Sequence, residues 1–272
     1  MLQSVDVRAG ATLLKTFAIN EVNPSDILIV TSITGLDPAD VTLFTGEFAR
    51  AGGYYQGRRP GQRNVVINLK INPNYVDDIE VSDIREMLYS WFFEPSPTSD
   101  EVVLVFHDDR KPDRFLLGYT EKLPADIFSK ETKAQVSLIC VDPFFLTEVP
   151  VSAEDSTGWI TLPIEYDGTA RTGIVAAFKI NTATDQFVVD INGQKMTLDG
   201  TFAVNDVINI NTIEGGRQIR QNGSDIMTTL TADSTWPQLS KGTNTLKVYG
   251  NAEGDGKAVL TSYFFQAAWW GI

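Results

Sequence analysis

One cysteine and one histidine in 272 residues remove most of the familiar reactive chemistry from this chain. A lone cysteine closes no internal disulfide, so the fold rests on its core, as expected of a protein made in a reducing cytoplasm. Cys140 falls on the apolar side of an alternating run and reads as a small buried hydrophobe rather than a reactive thiol. His107 ends an apolar run beside Asp108 and Asp109, but a second imidazole for a metal is unavailable and no nucleophile motif accompanies it. Gly-x-Ser-x-Gly, His-Glu-x-x-His and Cys-x-x-Cys patterns are also absent, so the sequence predicts no enzyme, no catalytic residue, no metal site and no cofactor.

Long apolar runs are missing as well. None approaches the ~18 to 20 residues of a membrane span, and Met1 to Ala18 lacks the basic start and apolar block of a signal peptide. Basic residues are scarce: 22 Lys and Arg against 35 Asp and Glu leave a net charge of −13. That balance argues against wrapping nucleic acid, which depends on cations displacing counterions from phosphates, but it allows a wall past which DNA slides. The deficit is even, with 14 basic and 21 acidic residues through Thr147 and 8 and 14 after it, hence −7 and −6.

Two tempting clusters lack what their chemistry needs. Asp77, Asp78, Glu80, Asp83 and Glu86 do not form the Asp-x-Asp-x-Asp-Gly loop that converges oxygens on calcium, and read as a solvated face. Phe48 to Arg63 (FARAGGYYQGRRPGQR) is rich in glycine and arginine but lacks the Gly-Lys-Ser/Thr ending of a phosphate loop. It reads as an exposed hairpin or arm, carrying residue types enriched at protein interfaces, with a plain mobile loop as the alternative.

What is present is β patterning at a length sufficient for two ordinary domains. Lys133 to Phe145 (KAQVSLICVDPFF) organises it: Val136, Leu138 and Cys140 alternate with Gln135, Ser137 and Ile139 until Pro143, which cannot donate to a ladder, forces a corner. Phe144 and Phe145 follow, placed to pin the exit of one domain against the entry of the next. Domains are therefore expected at 1–147 and 148–272, with Thr147 to Asp155 as linker.

In the first domain, apolar runs at Thr12–Asn20, Ile27–Thr34, Val41–Thr45, Asn64–Ile71, Glu101–His107 and Phe115–Thr120 predict strands. One segment changes period: Ile84, Met87, Leu88, Trp91 and Phe92 form a helical stripe, with Ser82 as expected cap and Pro95 and Pro97 as terminators, giving a single helix over about 82–93. In the second domain eight strands are expected between Trp159 and Trp270 with no helix, which indicates an antiparallel β-sandwich. Asn192-Gly193, Asp199-Gly200, Gly215-Gly216 and Asn222-Gly223 are expected at its tight turns.

Val136 to Phe145 (VSLICVDPFF) resembles the strand, cysteine, x, Asp-Pro-aromatic segment of siphophage distal tail (Dit) proteins. Phe187 to Leu198 (FVVDINGQKMTL), Val207 to Gly223, and Thr235 to Leu246 (TWPQLSKGTNTL, against the family's Trp-Pro-x-Leu-x-x-Gly-x-Asn) resemble its C-terminal domain. The likeness spans most of residues 100 to 250; the first hundred match in layout, strands around one helix with a long arm.

The resemblance implies a virion protein of the tail tip, made in the bacterial host cytoplasm, with a tail-tube-like N-terminal domain and a galectin-like C-terminal sandwich. It implies a homohexameric ring with the tail tube protein above and a hub or tip protein below, and DNA passing through the lumen without specific binding. In some phages the outer domains hold receptor-binding proteins or side fibres. Tyr54, Tyr55, Arg58 and Arg59 would lie on an arm clasping the neighbouring subunit. An alternative reading is a carbohydrate-binding module, with Trp159, Trp236 and Tyr249 as sugar or partner contacts; the second domain lacks the histidine on which the galectin sugar site relies.

Overall fold

The computed structural model describes residues 1–20, 23, 26–48, 51–72, 79–126 and 132–272. The chain divides into two compact units, Met1–Glu148 with Trp270–Ile272, and Val149–Trp269. It therefore passes between units twice, and its last three residues return to the first.

The first unit contains β1 (Leu2–Ala9), β2 (Thr12–Ala18), β3 (Leu28–Thr34), β4 (Val41–Glu47), β5 (Gly53–Pro60), β6 (Arg63–Ile71), α1 (Val81–Phe92), β7 (Glu101–Asp108), β8 (Arg114–Lys122), β9 (Ala125–Asp126), β10 (Lys133–Cys140) and β11 (Phe145–Thr147). Its main sheet runs β2-β1-β7-β8-β10-β6-β3, with β9 beside β10 and β11 beside β8. Alternation explains β6: Val65, Ile67, Leu69 and Ile71 are buried, while Asn64 and Lys70 are exposed. The same parity carries Arg63 inward.

Helix α1 buries Ile84, Leu88 and Phe92, a row at i, i+4 and i+8. Each of these side chains contributes about 1.5–3 kcal/mol by leaving water. Trp91 lies half-buried at the edge of the stripe, 6.5 Å from the ring of Phe17. The cap is Glu80 rather than Ser82: the Glu80 N–H donates to Asp83 Oδ2 at 2.9 Å, so the helix starts one residue early and Ser82 falls in its first turn.

The second unit contains β12 (Val151–Trp159), β13 (Thr161–Tyr166), β14 (Val175–Ile180), β15 (Thr184–Ile191), β16 (Gln194–Phe202), β17 (Val207–Asn211), β18 (Gln218–Gln221), β19 (Ser224–Asp225), β20 (Gly242–Tyr249), β21 (Ala258–Phe265) and β22 (Ala268–Trp269). Two antiparallel sheets, β12-β21-β14-β17-β18-β19 and β13-β20-β15-β16, enclose one core. Phe178 and Phe187 meet edge to face across it at 5.3 Å, and Phe202 lies 6.1 Å beyond.

Two expectations need correcting here, and one turn had no expectation behind it. Most of the expected linker belongs to β12, which pairs with β21 from Val151↔Phe265 to Glu154↔Ser262. Its polar sequence fits a strand at the edge of a sheet. Asp199-Gly200 is no turn but the middle of β16. Asn205, at φ 71°, supplies an unanticipated turn before β17, where Asp206 Oδ2 accepts the Ala203 N–H at 2.7 Å. Asn192-Gly193 and Asn222-Gly223 do take positive φ at both residues, closing β15–β16 and β18–β19.

Candidate interaction surface

Strands β4 and β5 form a two-stranded sheet of their own, paired from Val41↔Pro60 to Glu47↔Gly53. A bulge between Phe44 and Thr45 decides what each face presents. Before it Phe44 faces Gly57, and after it Thr45 faces Tyr55, so Gln56 is the extra residue. Cross-strand partners share a face and strand neighbours alternate. Leu43, Tyr55 and Arg58 therefore stand on one side, and Phe44, Tyr54 and Arg59 on the other. Each side of the hairpin carries one tyrosine, one large apolar group and one arginine. Leu43 and Tyr55 are each 62% exposed, and Phe44 and Tyr54 are about half exposed, at 48% and 47%. Near the tip, Phe48 and Tyr54 lie 5.3 Å apart and Gln56 donates to the Tyr54 hydroxyl. Ala49 and Arg50 lie outside the described residues.

The root of the hairpin is fixed. Gly61 N–H donates to Asp40 O at 2.8 Å, closing the base. Arg63, buried just beyond β5, spreads its guanidinium over four backbone carbonyls: Nη1 to Gly35 and Asp37 at 2.5 Å each, Nε to Pro143 at 2.7 Å and Nη2 to Trp270 at 2.6 Å. One side chain thus ties the segment entering β4, the Asp-Pro corner and the returning C-terminal residues. Burial lowers its pKa from the usual guanidinium value, yet the group stays charged at any physiological pH. Gly35 is required nearby: its φ is +84°, and a Cβ there would overlap the carbonyl of Asn64. Arg58, at the hairpin's root, stacks over Trp270 at 5.3 Å. The corner residues divide their work, Phe145 packing into the core against Phe106 at 5.4 Å and Phe144 against Trp270 at 4.9 Å.

His107 is more than the end of a strand. Its Nε2 lies 3.1 Å from Asp6 Oδ2 and its Nδ1 2.9 Å from Asp113 Oδ2. Burial opposes its protonation, but the two carboxylates outweigh burial and raise its pKa. Arg8 extends the cluster, donating to Asp6 at 2.8 Å and Glu148 at 2.5 Å, and Thr16 donates to Asp6 at 2.7 Å. This is a structural ion network without a nucleophile. Among the described residues no His, Cys, Asp and Glu group fits a metal ion. Asp77 and Asp78 of the acidic cluster lie outside those residues.

The three aromatics considered for sugar contact do not assemble into one platform. Trp159, on β12, packs against Tyr263 at 6.2 Å; Tyr249, on β20 of the other sheet, is 7% exposed; Trp236 lies in a connecting segment under the Arg217 guanidinium at 5.3 Å. Cys140 is buried, and burial pushes its thiol up to about 11.

Residues 167–269 match the family model described as siphovirus-type tail component, C-terminal domain. Among solved structures, the crystal structure of the Dit protein of phage SPP1, described as a paradigm of the hub adsorption apparatus in phages infecting Gram-positive bacteria, aligns over 97% of this chain and 98% of its own at 16% identity, with a TM-score of 0.64. A chain of the phage P2 baseplate in its activated conformation with calcium aligns over 98% of both chains at 9% identity and a TM-score of 0.44. No curated protein matches by sequence.

Proposed function

We propose, from the match of residues 167–269 to a siphovirus-type tail component domain and the likeness of the whole fold to a Dit protein, that this chain is a structural protein of the phage tail whose copies close into a hexameric ring joining the tail tube to the hub. The observation that carries this reading is the β4–β5 hairpin. A lone two-stranded sheet is marginal in water, and this one exposes Leu43, Phe44, Tyr54 and Tyr55 on both faces while Arg63 holds its root rigid. Such an arm is stabilised by lying against a neighbour. The contact is heterologous, arm against body, and a rotation that closes it generates a ring.

The net charge of −13 supports passage of DNA through the opening without adhesion, because a negative wall repels phosphate. The ring's role is mechanical and no chemistry is assigned to it. In this reading the second unit, Val149–Trp269, is the part to which receptor-binding proteins or side fibres attach. Light scattering or native mass spectrometry tests the assembly: a species with the mass of six 30.0 kDa chains supports it, and monomer at every concentration overturns it.

A further inference from the structure

Helix α1 keeps one face unused by its own core. Opposite Ile84, Leu88 and Phe92, the rings of Tyr89 and Phe93 point outward one turn apart, 36% and 42% exposed and 6.2 Å between centroids. With Glu86, Ser90 and Glu94 they line a shallow groove of about 450 Å³ that combines two aromatic rings with two carboxylates. Arg85 holds Tyr89 in place, donating from Nη2 to its hydroxyl at 2.9 Å. Residues 80–94 contain four acids and one arginine.

The hairpin is the reverse. Residues 41–60 contain three arginines and one glutamate, a basic element in a chain of net charge −13. The face bearing Phe44, Tyr54 and Arg59 presents two aromatic rings and a cation. Aromatic pairs and Arg–carboxylate pairs are the contacts these two surfaces would make together.

We propose that the hairpin of one copy docks on the outer face of α1 in the next copy. Phe44 and Tyr54 cover Tyr89 and Phe93, and Arg59 meets Glu86 and Glu94. The proposal rests on the ring reading above and names the surface that receives the arm.

Charge exchange in the full chain tests it, read as the concentration at which half the protein is assembled. Arg59→Glu alone, and Glu86→Arg with Glu94→Arg, are each expected to raise that concentration about tenfold. All three changes in one chain are expected to return it to within about threefold of the wild type, because every reversed arm then meets a reversed helix. These positions are exposed or lie at the helix surface, and thermal unfolding of each variant confirms that the fold is retained. Single variants without effect, or a combined variant no better than the worse single one, overturn the docking while leaving the wild-type ring in place. A wild-type chain that never assembles overturns the ring and this docking together.

Discussion

The Arg63 guanidinium carbon lies 4.6 Å over the ring of Phe145, so the buried cation that binds four carbonyls also seals the aromatic core at the Asp-Pro corner. Three stretches far apart in sequence depend on this one side chain. Arg63→Ala is expected to destabilise the first unit by at least about 3 kcal/mol, since each stranded buried acceptor costs about 1–3 kcal/mol. Arg63→Lys recovers only part of that, because an ammonium lacks the planar fork. Urea unfolding measures both.

His107 gives the first unit a defined pH response. Its pKa is raised in the folded state, so its contribution to stability is complete below the ordinary histidine value near 6.5 and is lost as pH rises through the raised one. Wild type is expected to exceed His107→Gln in Tm by the largest margin near pH 5.5, and the margin should close at higher pH. A constant difference across the range would mean that the imidazolium pairs with Asp6 and Asp113 contribute nothing.

Cys140 is expected to resist thiol reagents in the native protein at pH 8. Burial has pushed its pKa to about 11, leaving little thiolate, and the side chain is inaccessible. Full reaction after denaturation, with less than about a hundredth of that rate before it, is the expected result of a thiol titration.

Replacing Tyr54 and Tyr55 together with Ala is expected to change the unfolding free energy of the isolated chain by no more than about 1 kcal/mol, as both are exposed. Assembly should weaken by about tenfold or more, because aromatic anchors dominate interfaces. Dilution followed by light scattering separates the two effects.

Much of this architecture was readable from periodicity. Alternation through Ile71 marks β6, and extending its parity two residues back from Val65 already puts Arg63 on the buried side. The arginine's role was not readable, because its partners are main-chain carbonyls brought together from Gly35, Asp37, Pro143 and Trp270 by tertiary folding. The polar strand β12 looked like a linker for a similar reason: its stability comes from pairing with β21, more than a hundred residues later, rather than from an apolar face of its own. Adjacent Tyr54-Tyr55 and Arg58-Arg59 suggested one sticky arm, whereas strand alternation sends the members of each pair to opposite faces and the bulge at Gln56 sets Tyr55 beside Arg58 and Tyr54 beside Arg59. His107 looked solitary because the carboxylates flanking its ring come from β1 and from the turn before β8.

Electron microscopy of the purified 272-residue chain at high protein concentration tests the central claim most directly. The account predicts a six-fold ring with an open centre. Particles the size of a single 30.0 kDa chain at every concentration, or an assembly without a central opening, would contradict it.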